Sequence, residues 1–549
     1  MPPVAVLAPI AIPLIAAGLI TAFGIAGINF GRFMAGAGAL GSALSLSAVW
    51  IAVRSTQELN IGSLGFADSV AFRIDAVAFA FGLIIVLPAA LILALQPREW
   101  QAAAMATLGL AAAMCAVEAG GLVVTALAGG TAAMLATAQL DTEEPSSWRP
   151  GWSLLLAAWV LLGLAGVILQ VRGGTDAYAA VPVASFTVPV FALLAAAGLL
   201  SSGLAPWRMW PAQLLMRPQS RAAGMTVATL FPLGFYLFWR AYEMGDGGYP
   251  GAASRVVIAS FGAIVALAAA VRAQAAGTQR EFLAEAVMGA GGFALLTVSI
   301  GTPLGLAAGV ITLVTSAALV ASLALLPETP GTHALVAIAA AVGLPPGLAF
   351  GARVIGIAST FEAADYVGLI GVGGAVAWAV WMVAGARALR LPATGTLRPG
   401  TGFARISTGI AAASLLAGPG LAALQSAFAG PAQADVMSNQ VGAASSLQSV
   451  VTVSTVVPAL ALFTPLLVLA GVALFFARRQ VGAGTPRPAL FILPGGSLLA
   501  RVRAAAAGAS VPDEYRSLVS PAALEVAAVA GRPVLWLGAL VALGIAVTR

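Results

Sequence analysis

The sequence predicts an all-α polytopic membrane protein, on three observations: scarce charge, long apolar runs and the lack of alternating polarity. Of 549 residues, 60% are hydrophobic and 8% are charged, where a soluble domain has about a quarter charged. Mean hydropathy is +1.00. Runs such as residues 4–28 and 367–386 reach the ~20 residues that a helix needs to cross a bilayer core. A transmembrane strand barrel would alternate polar and apolar residues, and no such pattern is seen. Lipid offers the backbone no hydrogen-bond partners, so helices are the remaining solution.

About sixteen spans fit this pattern. They start near residues 4, 32, 74, 101, 119, 152, 184, 222, 254, 283, 303, 333, 364, 404, 449 and 526. The first is too long, and lacks the basic flank, for a cleaved signal peptide. Residues 1–430 form one apolar bundle, broken by polar stretches at Asp141–Pro150 and Arg387–Arg405. Residues 431–476 carry a further span. Residues 477–525 read as a Gly/Pro/Arg-rich loop with the acidic pair Asp513 and Glu514, and 526–549 as a final span. The segments near 184–243 and 333–388 are alike in outline, each a Pro-containing motif followed by a long helix.

On this span count, loops on the N-terminal side hold Arg54, Arg73, Arg172, Arg240, Arg255 and Arg353, with Arg549 at the chain end. The other arginines, among them Arg208, Arg217, Arg221, Arg387, Arg390, Arg398 and Arg405, fall on the opposite side. The positive-inside rule then places both termini outside and the loop 477–525 in the cytoplasm, in a cell inner membrane. The pI near 10.2 is therefore a topology signal. No basic patch alternates with aromatics, so nucleic acid is not an expected partner.

Cofactor and metal chemistry finds little support. The single Cys115 excludes disulfides within the chain and thiolate metal sites. The one histidine, His333, excludes His-cluster ligation by this chain and reads as a polar cap at a helix end. There is no P-loop, GxSxG or CxxC. Short GxxxG spacings are frequent among 63 glycines and signal close helix packing.

Four motifs occur in order: Phe72-Arg73-Ile74-Asp75, then Gly203-Leu204-Ala205-Pro206-Trp207-Arg208-Met209-Trp210. Phe231-Pro232-Leu233-Gly234-Phe235-Tyr236-Leu237-Phe238-Trp239-Arg240 follows, and then Gly343-Leu344-Pro345-Pro346-Gly347-Leu348-Ala349-Phe350. In this order and spacing they resemble the antiporter-like subunits of respiratory complex I. Mrp-type cation/proton antiporters and energy-converting hydrogenases have subunits of the same family. The resemblance covers about residues 1 to 430. It implies about fourteen core spans, with two inverted five-helix repeats and two broken helices. It also implies a midplane chain of lysines, glutamates and histidines that passes protons.

The departure from that pattern is informative. All 26 basic residues are arginine, whose pKa above about 12 keeps it charged, whereas a desolvated lysine releases its proton readily. By the resemblance, family lysines match Ser201, Pro232 and Arg353. The Asp-x-Lys-Arg segment matches Thr278-Gln279-Arg280-Glu281. A histidine and lysine four apart match Ser316 and Val320, and an early membrane glutamate falls at Gly129 or Gly130. A GC-rich genome explains lysine becoming arginine. It does not explain proline, serine, valine and glycine at ionisable sites, so the central relay reads as lost or strongly weakened.

The ionisable groups remaining near membrane depth are Asp75, Glu118, Glu281, Glu285, Arg353, Glu362 and Asp365. Each is open to a bland reading as a helix-end charge facing headgroups, water or the macrodipole. The sharper readings are Glu285 as a proton-accessible carboxylate and Arg353 paired with Glu362 or Asp365 across a broken helix. Thr312, Thr315, Ser316, Ser201 and Ser202 are candidates to line a hydrated path.

The resemblance implies a non-catalytic membrane-arm subunit of a complex I-like or hydrogenase-like assembly that moves protons or sodium. With a degenerate relay its role becomes that of a scaffold. It binds no redox cofactor, and its partners are membrane-arm subunits, peripheral redox subunits and lipid. Two alternatives stand beside this: a stand-alone secondary transporter, and a structural subunit of another membrane complex such as one for inorganic-carbon uptake.

Overall fold

In the computed structural model of the protein, the residues described are 3–28, 30–64, 67–96, 99–143, 149–204, 210–217, 221–326, 332–362, 367–391 and 402–436. The spans expected from 449 and 526, and the loop 477–525, lie outside them.

The chain opens with α1 (Ala8–Ile25) and α2 (Gly31–Val53), followed by a hairpin of β1 (Gln57–Leu64) and β2 (Ala67–Ile74). Next come α3 (Ala76–Leu95), α4 (Trp100–Glu118), α5 (Leu122–Glu143) and α6 (Arg149–Gly173). The short helices α7 (Val188–Ser201) and α8 (Trp210–Leu215) both pack along α9 (Arg221–Met244), as two halves of one interrupted span. Then α10 (Ala252–Gln274), α11 (Gln279–Ser299) and α12 (Pro303–Ala324) lead to a second interruption, between α13 (Thr332–Val342) and α14 (Leu348–Glu362). After α15 (Val367–Ala388), the helices α16 (Gly402–Leu416), α17 (Leu421–Leu424) and α18 (Gly430–Val436) continue through a π-helical turn at Gln425–Ala429.

Among the described residues, 11 helices are long and apolar enough to cross a membrane. The interrupted spans α7/α8, α13/α14 and α16–α18 bring the bundle to about fourteen crossings, as the hydropathy pattern predicts. The break falls on the fourth of five consecutive spans twice, in α4–α9 and again in α10–α15.

The two breaks share one chemistry. Gly203 (φ 67°) and Gly343 (φ 75°) adopt the left-handed conformation that costs glycine least. The Leu204 N–H donates to the Leu199 carbonyl and the Gly203 N–H to that of Leu200. Leu344 to Ala339 and Gly343 to Ala340 repeat the pattern. These paired bonds close a helix C-terminus and absorb its free carbonyls. The Gly-Leu pair before each proline motif is thus the stop signal for both half-helices.

The hairpin was not predicted, since neither strand alternates cleanly. It pairs antiparallel, with Gln57 opposite Ile74 and irregular register around Gly62. A lone two-stranded hairpin is marginal. This one is anchored along β2, where the Gly120 N–H donates to the Ala71 carbonyl at 2.8 Å and Phe72 bridges Ala119.

Burial grades from centre to rim. The α9 span is buried along its whole length, while α1 and α2 present Leu14, Ile15, Phe33, Leu40 and Leu44 outward. Glycine sets the closest approaches. A Cβ on Gly234 would lie 2.5 Å from the Gly198 carbonyl oxygen, and one on Gly292 2.4 Å from the Ala266 nitrogen. Three arginines read as loop charges are corrected here: Arg73, Arg240 and Arg353 are buried within the bundle. Arg54 and Arg172 are exposed and Arg255 is half-buried.

Candidate functional site

Charged groups gather at three depths. At the hairpin end, Asp75 caps α3, its Oδ1 accepting the Ala78 N–H at 2.7 Å. Its Oδ2 accepts from Arg240 Nη1 at 2.6 Å and from Arg73 Nε at 2.8 Å. Arg240 also donates to Glu243 Oε2 at 2.6 Å and, through Nε, to the Tyr236 hydroxyl at 2.8 Å. Tyr236 donates in turn to the Val117 carbonyl at 2.8 Å. Arg73 pairs with Glu243 as well. The rings of Tyr178 and Tyr236 flank the Arg240 guanidinium, centroids 5.0 and 4.9 Å away. From the last span, Asp435 Oδ2 accepts the Ala76 N–H at 2.7 Å.

Asp75 and Arg240 are wholly buried, and Asp75 sits at a helix end, the N-terminus of α3, facing protein groups on every side. Glu118, at the end of α4, is equally buried, and neither of its carboxylate oxygens has a hydrogen-bond partner among the described residues. The outer cluster joins the hairpin, α3, α9 and α18. Asp75, Arg73, Arg240 and Glu243 are each held by two or more partners, and removing one leaves an uncompensated buried charge. That geometry suits a lock.

At mid-depth, the positions of the expected relay are filled by packing. Of the two positions that the early glutamate matches, a Cβ on Gly129 would lie 2.2 Å from the Trp159 indole, whereas one on Gly130 would meet Trp159 at an ordinary 3.5 Å. Pro232 sits inside α9, beside the Gly198–Gly234 contact. The Ser201 hydroxyl reaches the Leu230 carbonyl at 3.5 Å. Val320 is buried, and the buried Ser316 hydroxyl has no partner among the described residues. Arg353 crosses back over the second break to donate to the carbonyls of Ala341, at 2.7 Å, and Val342. Phe293 and Trp378 lie beneath its guanidinium. The side chain of Glu362 and all of Asp365 lie outside the described residues. Arg353 therefore locks the break through backbone carbonyls, an arrangement that the ion-pair expectation overlooked.

At the end away from the hairpin, Glu285 accepts two bonds from Arg272 Nε, both at 3.0 Å, tying α10 to α11. It is 5% exposed. Glu281 belongs to the start of α11: Thr278 accepts its N–H at 3.1 Å, and its carboxylate accepts the Gly277 N–H at 2.8 Å. Arg280 donates to the carbonyls of Leu215, Leu323 and Arg217 near the ends of α8 and α12. The His333 side chain lies outside the described residues.

Sequence reasoning overlooked Glu243, Tyr178, Asp435 and Trp159. One signal was present: Tyr236, Arg240 and Glu243 recur at helical spacing and share a face of α9. Asp435 and Trp159 carry no local signal, because their partners are 359 and about 30 residues away in sequence.

Two interrupted spans at equivalent places in successive five-helix runs, with a hairpin between the second and third spans, make an unusual architecture. The chain has the fold of the antiporter-like membrane subunits. It superposes on a chain of the Mrp complex from Dietzia sp. DQ12-45-1b with a TM-score of 0.68 and 20% identity, covering 98% of this chain and 63% of that one. It thus spans less than two thirds of that Mrp chain. A chain of respiratory complex I from Thermus thermophilus with bound NADH matches with a TM-score of 0.63 and 19% identity, over 80% of this chain and 98% of that one. A chain of the membrane-bound sulfane sulfur reductase, an archaeal respiratory membrane complex, matches with a TM-score of 0.63 and 18% identity, over 75% and 74%. No protein-family model and no curated protein matches the sequence.

Proposed function

We propose that the chain is a membrane-arm subunit of a multi-subunit complex that moves protons or sodium, and that it holds active neighbours in place without a lysine-based proton path of its own. One observation carries this reading. The antiporter-like fold keeps its breaks, yet the midplane positions where titrating groups are expected hold Trp159 over Gly129, Pro232, Ser201, Ser316 and Val320. A relay needs groups that exchange protons near working pH. Arg353 and Arg240 are guanidinium groups that do not release theirs. Asp75, Arg73, Arg240 and Glu243 are tied down in the cluster at the hairpin end and Glu285 by Arg272, which leaves Glu118 as the buried carboxylate without a hydrogen-bond partner among the described residues. The similarity to chains of three multi-subunit complexes supports partnership with other membrane subunits, and with peripheral redox subunits beyond them. In this reading both termini face outward from a cell inner membrane.

The test is flux together with partnership. Purified from its native membrane, the chain is expected to come down with other membrane subunits. Reconstituted alone in liposomes loaded with a pH-sensitive dye, it is expected to dissipate an imposed pH gradient no faster than protein-free liposomes. Proton uptake by the isolated chain overturns the scaffold role. Loss of coupled transport by the intact complex on Glu285→Gln overturns the lost relay.

A further inference from the structure

Three arginines collect where α10 and α15 end. The two helices pack along each other, and their last turns carry Arg272 and Arg387. A cation suits a helix C-terminus, which accounts for one arginine per helix. Arg390 is a third, set on the turn beyond α15 by its N–H bond to the Arg387 carbonyl at 3.0 Å. Arg387 reaches across the seam between the helices, its Nη1 donating to the Gln274 carbonyl. Arg272 is tied to Glu285, and the Glu281 carboxylate turns to the Gly277 N–H. Arg387 and Arg390 are both exposed, and neither has a carboxylate partner among the described residues.

An exposed arginine needs no counter-charge in water. What sets this pair apart is the surface that leads to it. Val376, Val380, Val383, Arg387 and Arg390 follow at spacings of four, three, four and three, so they share one face of the helix and its last turn. The valines are exposed or half-buried. Alongside, Ile264, Leu267 and Val271 form a matching outward stripe on α10. Small residues keep the seam between the stripes shallow: Gly373 is half-buried, and a Cβ on it would stand 3.9 Å from that of Ala263. From Val376 to Arg387 is eleven residues, about 16 Å of helix. That is the depth of one leaflet in a hydrocarbon core about 30 Å thick.

We propose that this seam binds one anionic phospholipid, its phosphate held by Arg387 and Arg390 and an acyl chain lying along the groove between α10 and α15. Both parts are complementary. A guanidinium pairs with phosphate oxygens through two parallel N–H bonds, and basic pockets between spanning helices gather anionic headgroups. Of the five N–H donors on a guanidinium, the Gln274 carbonyl takes one from Arg387 and holds that side chain at the mouth of the groove. The apolar stripe has the length for one chain. A free phosphate would meet the arginines and leave the stripe unused, and a choline headgroup would bring its own cation beside two others. The bound lipid fastens α10 to α15, the first and last spans of the second five-helix run, and does so without any proton path.

The test uses the full chain, in the assembly in which it purifies, stripped of lipid in detergent and titrated with phosphatidylglycerol, phosphatidylcholine or inorganic phosphate. Lipid retained after washing is counted by mass spectrometry, and the melting temperature is followed in parallel. Phosphatidylglycerol is expected to raise the melting temperature saturably. The wild-type chain is expected to retain one phosphatidylglycerol more than the Arg387→Gln, Arg390→Gln double variant. The Arg390 side chain makes no hydrogen bond among the described residues. Arg390→Gln alone is therefore expected to leave melting in lipid-free detergent unchanged and to weaken the apparent lipid affinity about tenfold, the effect of losing one charge-assisted bond. Arg405→Gln, exposed on α16 among α12, α13 and α14, is expected to leave retention intact. Equal retention by the wild type and the double variant, or equal stabilisation by phosphatidylcholine, overturns the proposal. So does a loss with Arg405→Gln as large as that with Arg390→Gln, or a rise in melting temperature that inorganic phosphate alone reproduces. None of these readouts uses proton flux, so the lipid site and the scaffold role stand or fall separately.

Discussion

At the level of single residues, the most telling contact is Trp159 against Gly129. A side chain beginning at Gly129 would start inside the indole, 2.2 Å away. Restoring the missing acid with Gly129→Glu is therefore expected to destabilise the chain, and Trp159→Ala to relieve that cost in the double variant. Alone, Trp159→Ala leaves a cavity worth about 3–5 kcal/mol. Thermal melting of the four species in detergent measures the coupling, and simple additivity would show that the two sites do not share space. Gly343 gives a second residue-scale case. Its φ of 75° and the Arg353 Nη1 atom 2.6 Å from a Cβ leave no room for a side chain. Gly343→Ala is expected to cost about 1–2 kcal/mol from the left-handed backbone alone, with more from displacing the guanidinium. Both glycines were visible in the sequence, Gly343 inside a motif and Gly129 as a vacancy in a relay. What fills the vacancy was not visible, because Trp159 comes from the next helix and its direction depends on how α5 and α6 turn toward each other.

Among the elements, the hairpin and the start of α3 decide how the outer end is closed. Asp75 joins three structures at once: it caps α3, pairs with the hairpin through Arg73, and pairs with α9 through Arg240. Asp435 then fastens the last described helix to the same N-terminus. Breaking such a buried pair by removing one partner costs about 3–5 kcal/mol, while replacing both partners by apolar groups costs much less. Arg240→Met is accordingly expected to lower the melting temperature sharply, and Asp75→Leu in the same chain to recover part of the loss. An additive double variant would show that the two groups do not interact. The sequence displayed half of this lock, as Arg73 and Asp75 two residues apart and Tyr236, Arg240 and Glu243 along one helix face. Reading Arg240 as a loop charge came from taking a charge near the end of an apolar run for the edge of the span, an error that hydropathy alone invites.

On the scale of the whole molecule, the order of spans and the arginine asymmetry set an orientation that chemistry can check. Even with Arg73 and Arg240 counted at the hairpin end, that side holds fewer arginines than the opposite one, so it is expected to face outward. In a Cys115→Ser background, Ile61→Cys, exposed on the hairpin, is expected to react with a membrane-impermeant maleimide applied to intact cells. Labelling only after the membrane is permeabilised would invert the topology. In the proposed scaffold role, an antiporter-like shape is kept without a titrating axis. The breaks are closed by Gly-Leu hydrogen-bond motifs and by Arg353 on backbone carbonyls, and neither device requires a group that gains or loses a proton.

The sequence by itself determined the solvent, the number and order of spans to residue 436, the places where two of them stop and restart, and the absence of lysine. Each of these is a local property: hydropathy over one helix length, a glycine that admits a left-handed turn, a residue type present or missing. Only the tertiary structure decided which charges are paired and which are alone. Asp75 finds Arg240, Glu285 finds Arg272, Arg353 finds the carbonyls of Ala341 and Val342, and Glu118 finds no hydrogen-bond partner among the described residues. The reason is that in a membrane interior the cost of a charge is set by its neighbours within a few ångströms. Those neighbours come from helices far apart in the chain.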